Sequence, residues 1–598
     1  MEKLKKRSEI APQDTWDLEA LYATDEVWEA DRKKAEELLD AFQKLEGTLG
    51  QSPAHLKEAL DQYFALMRVV ENVYVYAQHR RDQDTADAYY QKMAMQAEDL
   101  LVKTEGSIAF VNPEILSLSE EWVDQALEQE KGLGFYRRIL KEIFRMKSHT
   151  RNGEAEGILA RASDLGNAPS SIFHMFDDAD LKYPSIKDEN GEEVPLTDSS
   201  LVPLMESSDR RVRREAFQAY YKVREQFKNT SAAIFSANVK QALFFTRERS
   251  YPSSRARYLD QSNIPEAVYD SLIETVHQNM DKMYRYVAIR KKMLGVDELH
   301  MYDVYAPLLP ESTASYTFEE AKKIVAEGLK PMGQEYLDIL KEGFENRWID
   351  VYENEGKRSG AYSGGSYDSH PYVLLNYRGT LDNVFTLAHE MGHSVHSYYS
   401  RKNQPYAYSD YKIFVAEVAS TCNEALLIHD LLKKTSDKAM KMTLINHFLD
   451  KFKGTIYRQT MFAEFEYLMH QKAQEGKPLT AQEISSTYLE LNQLYFGPDM
   501  VSDQEIALEW SRIPHFYTPF YVYQYATGFS AAIALSNKIL EEGAPAVERY
   551  KTFLKGGSSM DPIDLLKTAG VDMTTSQPVQ AALDVFGSLV DQMEEMIQ

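Results

Sequence analysis

The sequence predicts a mostly α-helical protein, and three observations carry that prediction. Apolar residues recur at helical spacing through most of the 598 positions. Stretches rich in β-branched and aromatic residues between glycines are confined to one region ahead of residue 380. The composition, 43% hydrophobic and 27% charged, is that of an ordinary globular chain with a sizeable core.

The elements follow in order. "WEADRKKAEELLDAFQKLEGTLG" has the helical period and stops at Gly47 and Gly50. "YQKMAMQAEDLLVKTEGSIAF" and "TFEEAKKIVAEGLKPMGQEYLDIL" behave likewise. "SSDRRVRREAFQAYYKVREQF" is a further helix, with Ser207, Ser208 or Asp209 as its N-cap. The C-terminal third continues in kind with "AQEISSTYLELNQLYF", "SAAIALSNKILEEG" and "AVERYKTFLKGG". No fixed-period repeat or low-complexity tract interrupts them.

Two regions break the pattern. "YPSIKDENGEEVPLTDSS" (183–200) carries Pro and Asn-Gly turn signals and reads as a surface hairpin or linker. It divides an N-terminal helical domain, 1–195, from a second domain, 196–598. Further on, "IDVY", "GAYSG" and "YVLLNY" predict a small antiparallel sheet just before residue 380.

Charge and cysteine content narrow the partners. The net charge of −25 opposes phosphate backbones and anionic membranes, so neither nucleic acid nor membrane is an expected partner. The single cysteine, Cys422, forms no internal disulfide. The basic start has no apolar run behind it, and no stretch of about 18 apolar residues follows, so the cytoplasm is expected. Nothing in the sequence specifies an oligomeric state.

The chemistry concentrates in "TLAHEMGHSVHSYYS" (386–400). Helical periodicity runs from Leu381 to Tyr399, with Thr380 or Asp382 to cap it. His389 and His393, four residues apart, leave the same helix face one turn apart. Their nitrogens can then share one zinc, and Glu390 beside them can reach a water without being a ligand itself. Chance supplies roughly 0.02 such H-E-x-x-H matches in a chain of this composition. The bland alternative is a polar stripe on a wet helix, but Leu387, Ala388, Met391, Gly392 and Val395 make the rest of this helix apolar.

A zinc site needs a third protein ligand. The zincin pattern with a further His six residues on fails, because that position is Tyr399. In "YKIFVAEVASTCNEALLIHDLL", Glu417, Thr421 and Glu424 share one face of an otherwise apolar helix. Buried acids are costly unless paired or bound to metal. Glu417 is therefore assigned as third ligand, and Glu424 as acceptor for the free N–H of a ligating histidine. The alternative is two glutamates on a solvated face. His396 is expected to pack or hydrogen-bond elsewhere.

"HPYVLLNYRGTLDNVFTLAHEMGHSVHSYYS" followed by "FVAEVASTCNEALL" resembles oligoendopeptidase F, in the thimet-oligopeptidase superfamily of zinc peptidases. "TWDLEALY" (15–22) and "PHFYTPFYVYQYATG" extend the likeness from about residue 15 to the end. The resemblance implies a two-lobed helical zincin-type peptidase, with one zinc on the floor of a deep substrate channel. It implies a zinc endopeptidase that cuts internal bonds of short oligopeptides, the second domain being catalytic. On this sequence it makes His389, His393 and Glu417 the zinc ligands and Glu390 the general base. It also implies that His515 and Tyr521 hold the substrate and its oxyanion. The thimet branch has a second tyrosine seven residues after the first; here that position is Gly528, with Tyr525 or Tyr523 as replacement. The tyrosines also read as plain aromatic core.

Gly364 and Gly365 in "GAYSGGSY" would let an extended substrate peptide approach a sheet edge closely; a plain bulge or turn is the alternative. Two rival functions stay open: a helical zinc metallocarboxypeptidase and a non-catalytic peptide-binding scaffold.

Overall fold

The computed structural model describes residues 4–310 and 314–598, and these are built mostly of helices. They form two compact units, each assembled from three stretches of chain. The first comprises Met1–Thr150, Ala314–Asp430 and Leu535–Gly570; the second comprises Arg151–Thr313, Leu431–Ala534 and Val571–Gln598. No helix among the described residues is long and apolar enough to cross a membrane.

In the first unit, the helices Asp25–Phe42, Pro53–Gln83 and Ala88–Ile108 pack side by side. Their apolar stripes supply Trp28, Leu39, Leu56, Val70, Ala97 and Leu100 to one core. Trp28 keeps its indole N–H satisfied there, donating to the Val73 carbonyl at 2.9 Å. Tyr372 and Leu374, from the sheet ahead of the histidine segment, are buried in the same core.

That sheet has three strands, Ile349–Asp350, Tyr362–Gly364 and Tyr372–Leu374, and the last of these lies in the middle. It is not wholly antiparallel as predicted. Tyr362–Gly364 runs antiparallel to the central strand, but Ile349–Asp350 runs parallel to it. The reason is connectivity. The loop 351–361 reverses the chain and the loop 365–371 reverses it again, so the first and last strands point the same way. Lys357, whose side chain is buried, helps close the first loop by pairing with Asp350 at 2.7 Å.

Helix ends follow local chemistry. Asp209 caps Arg210–Gln226, and its side chain accepts from the Arg211 amide. The stretch 317–340, read as one helix, is two: Phe318–Gly328 and Gln334–Glu345. Pro331 and Gly333, the latter at φ +81°, break the period between them. The second unit gathers the helices Lys228–Glu248, Arg458–Gln474, Ala481–Phe496 and Gln577–Ile597. The turn-rich segment near 190 is a hairpin, pairing Ile186 with Val194 and Lys187 with Glu193.

Candidate metal centre

The histidine helix, Leu381–Asn403, starts at Thr380, whose side chain caps the Asn383 amide at 3.2 Å. His389 and His393 leave it one turn apart, and their Nε2 atoms are 3.2 Å from each other. The next helix, Ile413–Lys434, lies against it unusually closely. Gly392 is the point of contact. A Cβ there would stand 2.5 Å from Ser420 Cα and 2.8 Å from the Ala419 carbonyl oxygen. Only a residue without a side chain permits this approach.

A buried amide locks the two helices in register. Asn423 donates to the Ala388 carbonyl at 3.0 Å and accepts from the Tyr336 hydroxyl at 2.7 Å. In this register, Glu417 Oε2 lies 3.4 Å from His389 Nε2 and 3.5 Å from His393 Nε2. Among the described residues, these three side chains form one metal-capable group.

The triangle fits a tetrahedral ion. Zinc bonds of about 2.0–2.1 Å put neighbouring ligand atoms about 3.3–3.4 Å apart, and the three edges here are 3.2, 3.4 and 3.5 Å. The donor chemistry agrees. Glu424 accepts the Nδ1 hydrogen of His389 at 2.5 Å, which leaves Nε2 of that ring as a lone-pair donor. The His389 lone pair, the His393 Nε2 and the Glu417 carboxylate then converge on one point, where a cation is the natural partner. Ser420 steadies the carboxylate by donating to Glu417 Oε2 at 3.0 Å.

Electrostatics follow from these contacts. Burial raises the Glu417 carboxyl, but the hydrogen bond and charge of His393, with His389, outweigh it and hold the group at about 2. Burial depresses His389, yet the hydrogen bond and charge of Glu424 leave its net shift upward. Glu390 is 6% exposed; burial pushes its carboxyl up against the opposing pull of the two histidines. A carboxyl with a raised pKa beside a metal-capable group is suited to trading protons.

His396 is turned away from this group. It is buried, stacks on Tyr411 at 3.8 Å between ring centroids, and is pushed down to about 3 by burial.

The strand Tyr362–Gly364 is the sheet edge beside the histidine helix, joined to it where Ser363 and Ser394 share a 2.8 Å hydroxyl contact. Gly365 has φ +128°, a conformation closed to other residues, and its carbonyl accepts from Arg401 at 2.9 Å. A groove of about 350 Å³ lies between Gly360–Ala361 and the first helical turns at Asn383 and Thr386.

His515, Tyr521 and Tyr525 belong to the second unit and form their own cluster. The Tyr525 hydroxyl is 3.3 Å from His515 Nε2, and the Tyr521 and Tyr525 rings meet edge-on at 5.5 Å. Burial moves His515 downward. Tyr523, the other replacement considered for the second tyrosine, is instead buried core, packed against Tyr269.

Sequence reasoning missed Gly392, Asn423, Tyr336 and Ser420. Gly392 carried a signal, because a glycine inside a helix implies a close neighbour. Asn423, a polar residue inside the apolar stretch 414–428, carried a weaker one.

Comparisons with known proteins give the chain's family. Residues 203–585 match the model for peptidase family M3, and residues 114–183 match that for oligopeptidase F. The chain is similar to Oligopeptidase PepF of Bacillus subtilis, 48% identical over 99% of this chain and 89% of the relative. Group B oligopeptidase PepB of Streptococcus agalactiae is 43% identical over 99% and 98%. The crystal structure of oligoendopeptidase-F from Enterococcus faecium superposes with a TM-score of 0.76 at 38% identity, covering 96% of this chain and 99% of that one. With the M3 match spanning well over half its length and relatives alike from end to end, the chain belongs to peptidase family M3, in the oligopeptidase F branch.

Proposed function

We propose that this protein is a zinc endopeptidase that hydrolyses internal bonds of short oligopeptides. One observation carries the metal: the His389–His393–Glu417 triangle, with edges of 3.2–3.5 Å, matches a tetrahedral zinc. Zinc held there supplies Lewis acidity, acidifying water and polarising a carbonyl.

The chain's own residues do the rest. Glu424 keeps the His389 ring in one tautomer and orientation. Glu390 takes a proton from the attacking water and hands it to the leaving amine, the raised pKa of its buried carboxyl matching both duties. The edge strand through Gly364 and Gly365 receives an extended peptide by backbone hydrogen bonds, which demands few particular side chains. His515 and Tyr521 hold the substrate and donate to its developing oxyanion, with Tyr525 beside them; losing one such donor typically costs about 2.7–4 kcal/mol of barrier. All of these residues fall in 196–598, the stretch proposed as catalytic after an N-terminal 1–195, although the compact units interleave the two stretches. A cytoplasmic setting is part of the same proposal, since the free, buried Cys422 requires no oxidising compartment.

The test is product analysis. Zinc-loaded protein is given a mixed peptide library, and the same sequences are offered within rigid loops of a stable protein. Internal cuts in free peptides, abolished by chelation, are expected, with the loops spared. Stepwise loss of single C-terminal residues would make it a carboxypeptidase, and binding without cleavage would make it a scaffold.

A further inference from the structure

The segment carrying His515 and Tyr521 contains one strained residue. Phe520 has φ +56°, in the left-handed region that non-glycine residues avoid. Such strain persists only where the surroundings over-determine it. Two features of the helix Arg458–Gln474 do so. The Glu466 carboxyl accepts from the Phe520 amide at 2.7 Å, and the His470 ring, one turn on, packs against the Phe520 ring at 4.8 Å. Tyr258 and Tyr269 close the other sides at 6.0 and 5.9 Å.

We infer that Glu466 is a positioning residue: by holding Phe520 in the left-handed conformation, it sets where Tyr521 and His515 present their polar groups. The inference rests on the proposed roles of those two residues. The bend at Phe520 lies between the short helical turn Pro514–Tyr517 and the helix Tyr523–Glu542. It folds the chain back so that the His515, Tyr521 and Tyr525 rings gather within 5.5–6.3 Å of one another. Asn238 tethers the earlier part of the segment, donating to the Phe516 carbonyl at 3.0 Å.

Glu466 has little other reason to be a carboxylic acid. It is 1% exposed, and among the described residues its second oxygen has no hydrogen-bond partner. Buried Glu509 shows the contrast, with Arg458 at 2.7 Å on one oxygen and the Tyr488 hydroxyl at 2.6 Å on the other. A fully buried acid serving one backbone N–H marks that N–H as the group to be held. Burial also pushes Glu466 up to about 8, so near neutral pH it is an uncharged acid that Gln imitates in shape and in its accepting oxygen.

The experiment compares E466Q, E466M, Y521F and H515A as full-length, zinc-loaded proteins on a fluorogenic peptide. Zinc content, kcat, KM and hydrogen exchange of 513–525 are read for each. E466Q is expected within about threefold of the parent, and E466M to fall about 100-fold in kcat, the effect of a misplaced group. E466M should keep its zinc and lose exchange protection in 513–525. If E466M does not fold, E466D, whose carboxyl is one methylene short of Phe520, takes its place. Parental kcat in folded E466M or E466D, with Y521F impaired, overturns the inference and leaves the reading of the site intact. Parental activity in both Y521F and H515A removes that reading, and the inference with it.

Discussion

Replacing Gly392 by Ala should weaken metal binding, although the substituted residue touches no metal. On helix propensity alone, G392A would stabilise the histidine helix by about 0.8–1 kcal/mol. The structure reverses that sign. The new Cβ would lie 2.5 Å from Ser420 Cα and 2.8 Å from both the Ala419 oxygen and the Ser420 nitrogen. These are backbone atoms of the facing helix and cannot rotate aside. Restoring contact at about 3.5 Å requires the helices to part by about 1 Å. Overpacking of this kind typically costs about 1–3 kcal/mol, which exceeds the propensity gain. Glu417 sits three residues before Ser420 and Glu424 four after it, so both carboxylates move with that helix. Zinc sites tolerate ligand displacements of only about 0.2 Å. Zinc affinity, measured by competition with a chromogenic chelator, should fall at least about 10-fold, and the zinc-dependent rise in Tm should shrink. An unchanged affinity together with a higher Tm would refute the argument that helix spacing at Gly392 sets the ligand geometry.

Other substitutions separate the roles at the site. E417A should abolish tight zinc binding, whereas E424A should weaken it by roughly 10–100-fold; equal, small effects in the same chelator assay would reduce both to incidental charges. E390Q should retain about one zinc per chain by metal analysis yet lose activity by roughly 10²–10⁴-fold, and loss of the zinc instead would make Glu390 a ligand. Glu466 gives a pH signature in stability. Its folded pKa, about 8, lies above the ordinary 4.5, so its contribution is full below pH 4.5 and is lost as pH rises toward 8. Burial holds His470 at about 3 and drives the Tyr258 and Tyr269 hydroxyls upward, so these facing groups stay uncharged across that window. Denaturant titrations should show the parent losing about 3–4 kcal/mol relative to E466Q between pH 5 and 8; parallel curves would refute a neutral Glu466.

Local periodicity determined much of this protein. The helical repeat alone makes the molecule mostly α, and four-residue spacing alone puts His389 and His393 on one face. Glu417 and Glu424 were legible for a similar reason, as acids seven residues apart on a helix too apolar to be exposed. Which atom meets which was decided by packing. Gly392 and Asn423 bring the two helices to one distance and one register, and these direct Glu417 to the histidine nitrogens and Glu424 to the back of His389. Strand propensity located the sheet, but strand direction depends on loop reversals that propensity does not encode. In "MFAEFEYLM", Glu466 reads as one more polar position on a helix. Only the fold shows it buried against Phe520, because a backbone N–H forced into the left-handed bend is a partner brought there by tertiary structure across 54 residues of chain.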